Sequence, residues 1–124
     1  MKLTRQSSAD RQLVQRYGGG GFRVSGVEFK GSVIVLPGET LAWPVTALET
    51  VKLADFIPLV SRVKDLDVCL LGCGVGMLPI PREVREALKI SGLAIDPMDT
   101  GAACRTYNVL MGEGRAVAAA LIAV

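Results

Sequence analysis

Leu66-Asp67-Val68-Cys69-Leu70-Leu71-Gly72-Cys73-Gly74-Val75-Gly76-Met77-Leu78-Pro79-Ile80-Pro81 decides how this chain is read. Its opening apolar run is long enough for a buried strand and too short for a helix. A run apolar on both faces suits a strand covered on both sides, as in a parallel sheet with helices above and below. Three glycines then permit a tight turn and close approach by other groups. Pro81 opens a helix expected over Pro81 to Ile90, at a position where the missing N–H costs little. Glu83 in the first turn and Lys89 in the last match the helix dipole, and Gly92 suits the C′ position. The centre of the chain thus reads strand, glycine loop, helix, a pattern that points to a ligand without naming a function.

Upstream, Met1 to Arg16 is polar and weakly periodic and reads as irregular. Gly18-Gly19-Gly20-Gly21 reads as a flexible joint. Phe22-Arg23-Val24 and Val27-Glu28-Phe29 alternate apolar and polar, as half-buried strands do, and Ser25-Gly26 between them is a hairpin turn. Val33-Ile34-Val35-Leu36 is a further strand, stopped by Pro37-Gly38, and Leu41-Ala42-Trp43 another, ended by Pro44. Thr50 to Val63 has helical spacing at Leu53, Phe56, Ile57, Val60 and Val63, but Pro58 makes that helix short or late.

Downstream, Val84, Ala87 and Leu88 share one face of the helix after the loop. Leu93-Ala94-Ile95 reads as a third buried strand closed by Asp96-Pro97. Asp99-Thr100 caps a helix through Met111, with Ala103, Tyr107, Leu110 and Met111 on its apolar face and Gly112 as its stop. Alanines favour a helix over Ala116 to Val124, while its length and the preceding Gly112-Glu113-Gly114 turn allow a strand; periodicity does not decide between them.

A chain of 124 residues makes one domain with a real core. It is 50% hydrophobic and 5% aromatic, so that core is aliphatic. A net charge of +2, with no basic cluster interleaved with aromatics, argues against a nucleic-acid partner. Lys2, Arg5, Arg11 and Arg16 make residues 1–16 a basic, flexible tail ahead of a single domain over 17–124. That tail has no apolar stretch of a secretory signal, and no apolar run approaches the roughly 20 residues that span a bilayer. The mean hydropathy of +0.40 comes from dispersed Val, Ala and Leu. The expectation is a soluble, cytoplasmic protein with no transmembrane segment.

The three cysteines, Cys69, Cys73 and Cys104, argue against a disulfide framework, and histidine is absent. The commonest metal ligand and the commonest general base are therefore missing, and three thiols without C-x-x-C spacing do not close a zinc site. Neither a metal nor a bound cofactor is expected.

Leu71-Gly72-Cys73-Gly74-Val75-Gly76 is close to the glycine motif of S-adenosylmethionine methyltransferases and to a clipped dinucleotide fingerprint. Asp96 lies 20 residues after Gly76, where such folds place a carboxylate on ribose hydroxyls. Against this, Leu70 stands where the methyltransferase motif has an acid. Pro79 and Pro81 delay the helix, so its N–H groups do not begin at the loop. Only 48 residues follow Gly76, too few to complete a doubly wound sheet.

A second set of blocks covers far more of the chain. In order these are Gly31-Ser32-Val33-Ile34-Val35-Leu36-Pro37, Trp43-Pro44, Leu71-Gly72-Cys73-Gly74, Leu78-Pro79 and Met98-Asp99-Thr100-Gly101-Ala102-Ala103-Cys104. Thr106-Tyr107-Asn108-Val109-Leu110 and Glu113-Gly114-Arg115-Ala116-Val117-Ala118-Ala119-Ala120-Leu121 follow. From about Tyr17 to Ile122 the chain resembles the small Mth-like domain family, a domain of unknown function. One branch of that family is a mitochondrial assembly factor for respiratory complex I. Cys73 stands where the commoner turn is Gly-Thr-Gly. The resemblance implies an α/β fold of three layers: a central mixed sheet with helices and an additional β-rich layer from the N-terminal third. It also implies that Arg115 to Ile122 is the last strand, and antiparallel. It brings no agreed reaction and no catalytic residues.

Two functions follow. By resemblance the chain is a non-enzymatic assembly or scaffold protein whose partners are respiratory-complex subunits or assembly factors. The alternative is a small-molecule-binding enzyme, of S-adenosylmethionine or nucleotide type, using Gly72, Cys73, Gly74, Val75, Gly76 and Met77. A catalyst here would work with Asp96, Asp99, Tyr107, Arg115 or a cysteine. Asp99, Thr100, Tyr107, Asn108 and Arg115 form the candidate polar cluster. Asp99, Tyr107 and Asn108 also have structural readings: Asp99 as a helix cap near Arg115, Tyr107 as a core residue with a polar handle and Asn108 as a helix-face hydrogen-bonder. Val75 and Met77 are either a contact surface or core tucked under the first hairpin.

Overall fold

A computed structural model describes residues 11–124. They build two sheets and three α-helices. β1 (Val14–Gly18), β2 (Gly21–Val24) and β3 (Val27–Lys30) form an antiparallel three-stranded sheet in that order. β4 (Val33–Val35), β5 (Thr40–Ala42), β6 (Val68–Gly72), β7 (Asp96–Met98) and β8 (Val117–Leu121) form a five-stranded mixed sheet in the order β5-β4-β8-β6-β7. β8 runs antiparallel to β4 and parallel to β6, and β6 is parallel to β7. The helices are α1 (Ile57–Val60), α2 (Arg82–Ile90) and α3 (Thr100–Gly112).

Period-two alternation sends side chains to two cores. Ile34, Leu36, Cys69, Leu71, Ala118 and Ala120 face the layer of 3-10 turns, α1 and α2, where Leu48, Phe56, Leu59 and Leu88 fill the space. Val33, Val35, Leu70, Val117, Ala119 and Leu121 face α3 and the small sheet, meeting Ala103, Cys104, Tyr107, Phe22 and Val24. The result is the expected three-layer α/β fold, a mixed sheet between helices with the N-terminal hairpin sheet added beside α3. β4 and β5, also from the first third, join the large sheet instead. The last strand is antiparallel as expected against β4, and it is also parallel to β6.

Several local expectations need correction. Residues 1–10 of the expected tail lie outside the described residues, but Val14 to Arg16 already belong to β1. The four-glycine stretch is no loose joint: Gly18 pairs with Gly21, and Gly19 and Gly20 make the hairpin turn with φ of 64° and 82°, where glycine is the default residue. The strand expected at Leu93 to Ile95 lies three residues later, at Asp96–Met98. Leu93 is instead taken up by the end of α2: Gly92 donates to Lys89 O and Leu93 to Leu88 O, a Schellman closure. Pro97 is tolerated because β7 is an edge. α3 runs one residue past Met111: Gly112 is its last residue, and Gly114 closes it at C′ by the same pair of bonds, Gly114 N to Met111 O and Arg115 N to Leu110 O.

The Thr50 to Val63 stretch breaks as Pro58 dictates, into a 3-10 turn at Leu53–Phe56 and the late, one-turn α1. Trp43 Nε1 donates to Asp55 O at 2.8 Å, and its ring meets Phe56 edge-on, which fixes this turn to the end of β5.

Candidate functional site

The glycine loop leaves the C-terminal end of β6. Its first half is stitched to three neighbours. Gly72 O accepts from Ile122 N at 3.0 Å, Cys73 N donates to Met98 O at 2.8 Å, and Gly74 O accepts from Thr100 N at 2.9 Å. Gly74 N donates to Thr100 Oγ1 at 3.0 Å, and that buried hydroxyl donates onward to Ile122 O at 2.7 Å. The amides of Cys73 and Gly74, which a phosphate cradle would aim at a ligand, are thus taken up by the protein. Cys73 is buried in the core, with its Sγ near Leu71 O.

After Gly74 the chain moves into solvent. Val75 is 93% exposed, Met77 67% and Leu78 44%. Neither Val75 nor Met77 tucks under the hairpin sheet. α2 begins only at Arg82, so its N-terminus does not meet the glycines; the N-terminus of α3 does, and its first N–H, on Thr100, is spent on Gly74 O. Asp96 does not sit at the end of its strand. It opens β7 opposite Leu70, exposed, while Met98 is the residue level with Gly72.

The candidate polar cluster does not converge. Asp99 caps α3, its carboxylate accepting from Ala102 N at 2.9 Å. Thr100 stitches the loop as described. One to two turns on, Tyr107 Oη donates to Gln12 O at 2.7 Å, and Asn108 holds Val14 at both backbone groups, accepting from N at 3.0 Å and donating to O at 2.8 Å. Arg11 adds a bond to Met111 O at 2.8 Å, so α3 clamps the segment that leads into β1. Arg115 is exposed beyond the far end of α3, about 20 Å of helix from Asp99, so the expected nearness of those two is corrected.

Burial pushes the Cys69 and Cys104 thiols up to about 12, Arg105 opposing the shift at Cys104, which leaves both as inert packing groups near neutral pH. Burial also raises the Tyr107 phenol, against the pull of Arg11. Among the described residues no group of three His, Cys, Asp or Glu side chains comes together as a metal would need. No helix among them is long and apolar enough to cross a membrane.

Beside the loop lies an open groove of about 370 Å³ lined by Met77 to Ile80, by Ile95 and Pro97 at the β7 edge, and by Arg85 of α2. Sequence reasoning singled out Met77 alone of these. The spacing of Arg82, Arg85 and Lys89 along one side of a helix was a readable signal, but that the helix faces Ile95 and Pro97 depends on long-range packing.

Fold and loop together define a three-layer α/β domain whose glycine turn is closed by its own chain. The chain belongs to the family described as "Protein of unknown function (DUF498/DUF598)", which matches residues 14–122. It is 30% identical to NADH dehydrogenase [ubiquinone] 1 alpha subcomplex assembly factor 3 of Danio rerio over 98% of this chain and 70% of that one. Among solved structures it is similar to an outer membrane protein from Bartonella henselae, with a TM-score of 0.84 and 37% identity over 94% of this chain and 98% of that one. A Mth938-like domain from Bordetella pertussis matches with a TM-score of 0.74 and 27% identity, covering 90% of this chain and 85% of that one. The Mth-like resemblance read from the sequence is therefore sound.

Proposed function

We propose that this chain is a non-enzymatic, assembly-type protein. It docks on protein partners, namely respiratory complex I subunits or their assembly factors, through the apolar face formed by Val75, Met77 and Leu78. The observation that carries this is the division of the glycine loop: its first polar groups are consumed internally while its apolar side chains stand in water. An apolar cluster held out on a loop fits a contact surface. The kinship with the Danio rerio assembly factor supports the class of partner. The enzyme reading on the same loop has less behind it, because the amides of Cys73 and Gly74 are occupied and Asp96 is misplaced for a ribose.

A photo-crosslinking residue at Met77, with a control at the exposed Val109 on α3, tests the proposal in cells. Adducts to complex I subunits or assembly factors from position 77 and not from 109 are expected. Identical adduct patterns from both positions, or none from 77, contradict it. The proposal has the protein act from the cytoplasm; recovery in another fraction would contradict that part alone.

A further inference from the structure

The groove beside the loop is almost wholly apolar, and among its described lining residues Arg85 alone carries a charge. Arg16, Arg23 and Arg62 are each ion-paired, whereas among the described residues the Arg85 side chain makes no hydrogen bond and no ion pair. Arg82 and Lys89, three residues before and four after, are exposed and likewise unpaired, so α2 presents a basic rim along one side. Glu86, four residues after Arg82 and three before Lys89, shares that side, and neither it nor Glu83 forms an ion pair with the rim.

We infer that this groove takes an acidic amphipathic segment of a partner protein, its apolar side chains lying against Met77, Ile80 and Ile95 and a carboxylate pairing with Arg85. The inference rests on the docking reading above and adds the chemistry of the partner. A guanidinium at the edge of an apolar groove is matched by a carboxylate held bidentately, a bond that strengthens as water leaves. Val75 stands exposed two residues before Met77, and Arg82 and Lys89 lie about one helical turn to either side of Arg85, a span longer than a small carboxylic acid.

The test is selection of a random short-peptide library on the full chain, with counter-selection on the Met77→Asp variant. Enriched peptides are expected to combine bulky apolar residues with Asp or Glu. The tightest of them, made synthetically, should bind Arg85→Glu at least about tenfold more weakly than the parent chain and Arg85→Lys with a smaller loss. Replacing its acidic residue with Lys should restore binding to Arg85→Glu. Melting curves verify that the variants fold, with Arg85→Gln used if Arg85→Glu does not. Enrichment without acidic residues, binding indifferent to Arg85→Glu, or no enrichment at all overturns the inference, while the crosslinking result judges the docking reading separately. Three further results overturn it by naming another occupant. They are a dimer in sedimentation that Met77→Asp disperses, Arg85-dependent binding to phosphatidylglycerol vesicles, and octanoate shifting the groove's amide resonances at micromolar concentration.

Discussion

A methyl group added at Gly72 would lie 2.9 Å from the Thr100 hydroxyl and 3.0 Å from both the Thr100 Cα and Leu121 Cδ2. The glycine is there so that α3 and β8 can close on the end of β6. Gly72→Ala should therefore cost about 1–3 kcal/mol, the usual penalty of overpacking, and lower the melting temperature by several degrees. Gly76→Ala meets nothing within 4 Å and should leave melting unchanged. Equal melting of the two variants would contradict a packing role for Gly72. The thiols make a second prediction. Cys69 and Cys104 ionise near 9.0 when unfolded but only near 12 when folded. Above pH 9.0 the unfolded chain sheds protons that the folded chain keeps, so stability falls as pH rises toward 12, with Tyr107 acting in the same direction. Urea midpoints should be lower at pH 10.5 than at pH 8; equal midpoints would contradict the burial of these groups.

At the scale of elements, α3 is the hub that joins the small sheet to the large one. Its grip on β1 depends on Asn108, whose amide satisfies both backbone groups of Val14. Asn108→Ala leaves those groups unpaired and should speed hydrogen exchange over Val14 to Arg16 without changing β6 or β8. Unchanged exchange at the N-terminal strand would show that Asn108 is not the clamp. The elements also differ in how far the sequence revealed them. β6 is legible because Val68 to Leu71 is apolar without a break, as burial on both faces demands. β8 is not, because Ala118, Ala119 and Ala120 prefer a helix in isolation. They form a strand only because small residues let helical layers close on both sides of the sheet. β7 is hidden in the sequence because Asp96-Pro97 looks like the end of a strand, whereas it begins one. At a sheet edge, a residue lacking its N–H can still be paired. Asp99, Tyr107 and Asn108 drew attention as polar residues in one block, yet each spends its polar group on the chain's own backbone.

At the scale of the whole molecule, both faces of the large sheet are covered, and the end where β6 gives way to its loop is the one that carries Val75, Met77 and Leu78 into water. The sequence placed apolar residues in that turn but left their exposure open, since only the packed fold determines whether the hairpin sheet covers them. The central claim is that these side chains serve contact and contribute nothing to the core. The most direct measurement is a paired one on Val75→Asp/Met77→Asp: thermal melting, and the amount of complex I protein recovered with the tagged chain. Because both side chains are already exposed, the new charges stay hydrated, and the melting temperature should move by no more than about 3 °C. Recovery of complex I proteins should fall to background. A variant that melts far below the parent would make the two residues core, and one that melts normally and recovers the same proteins would leave the loop without a docking role.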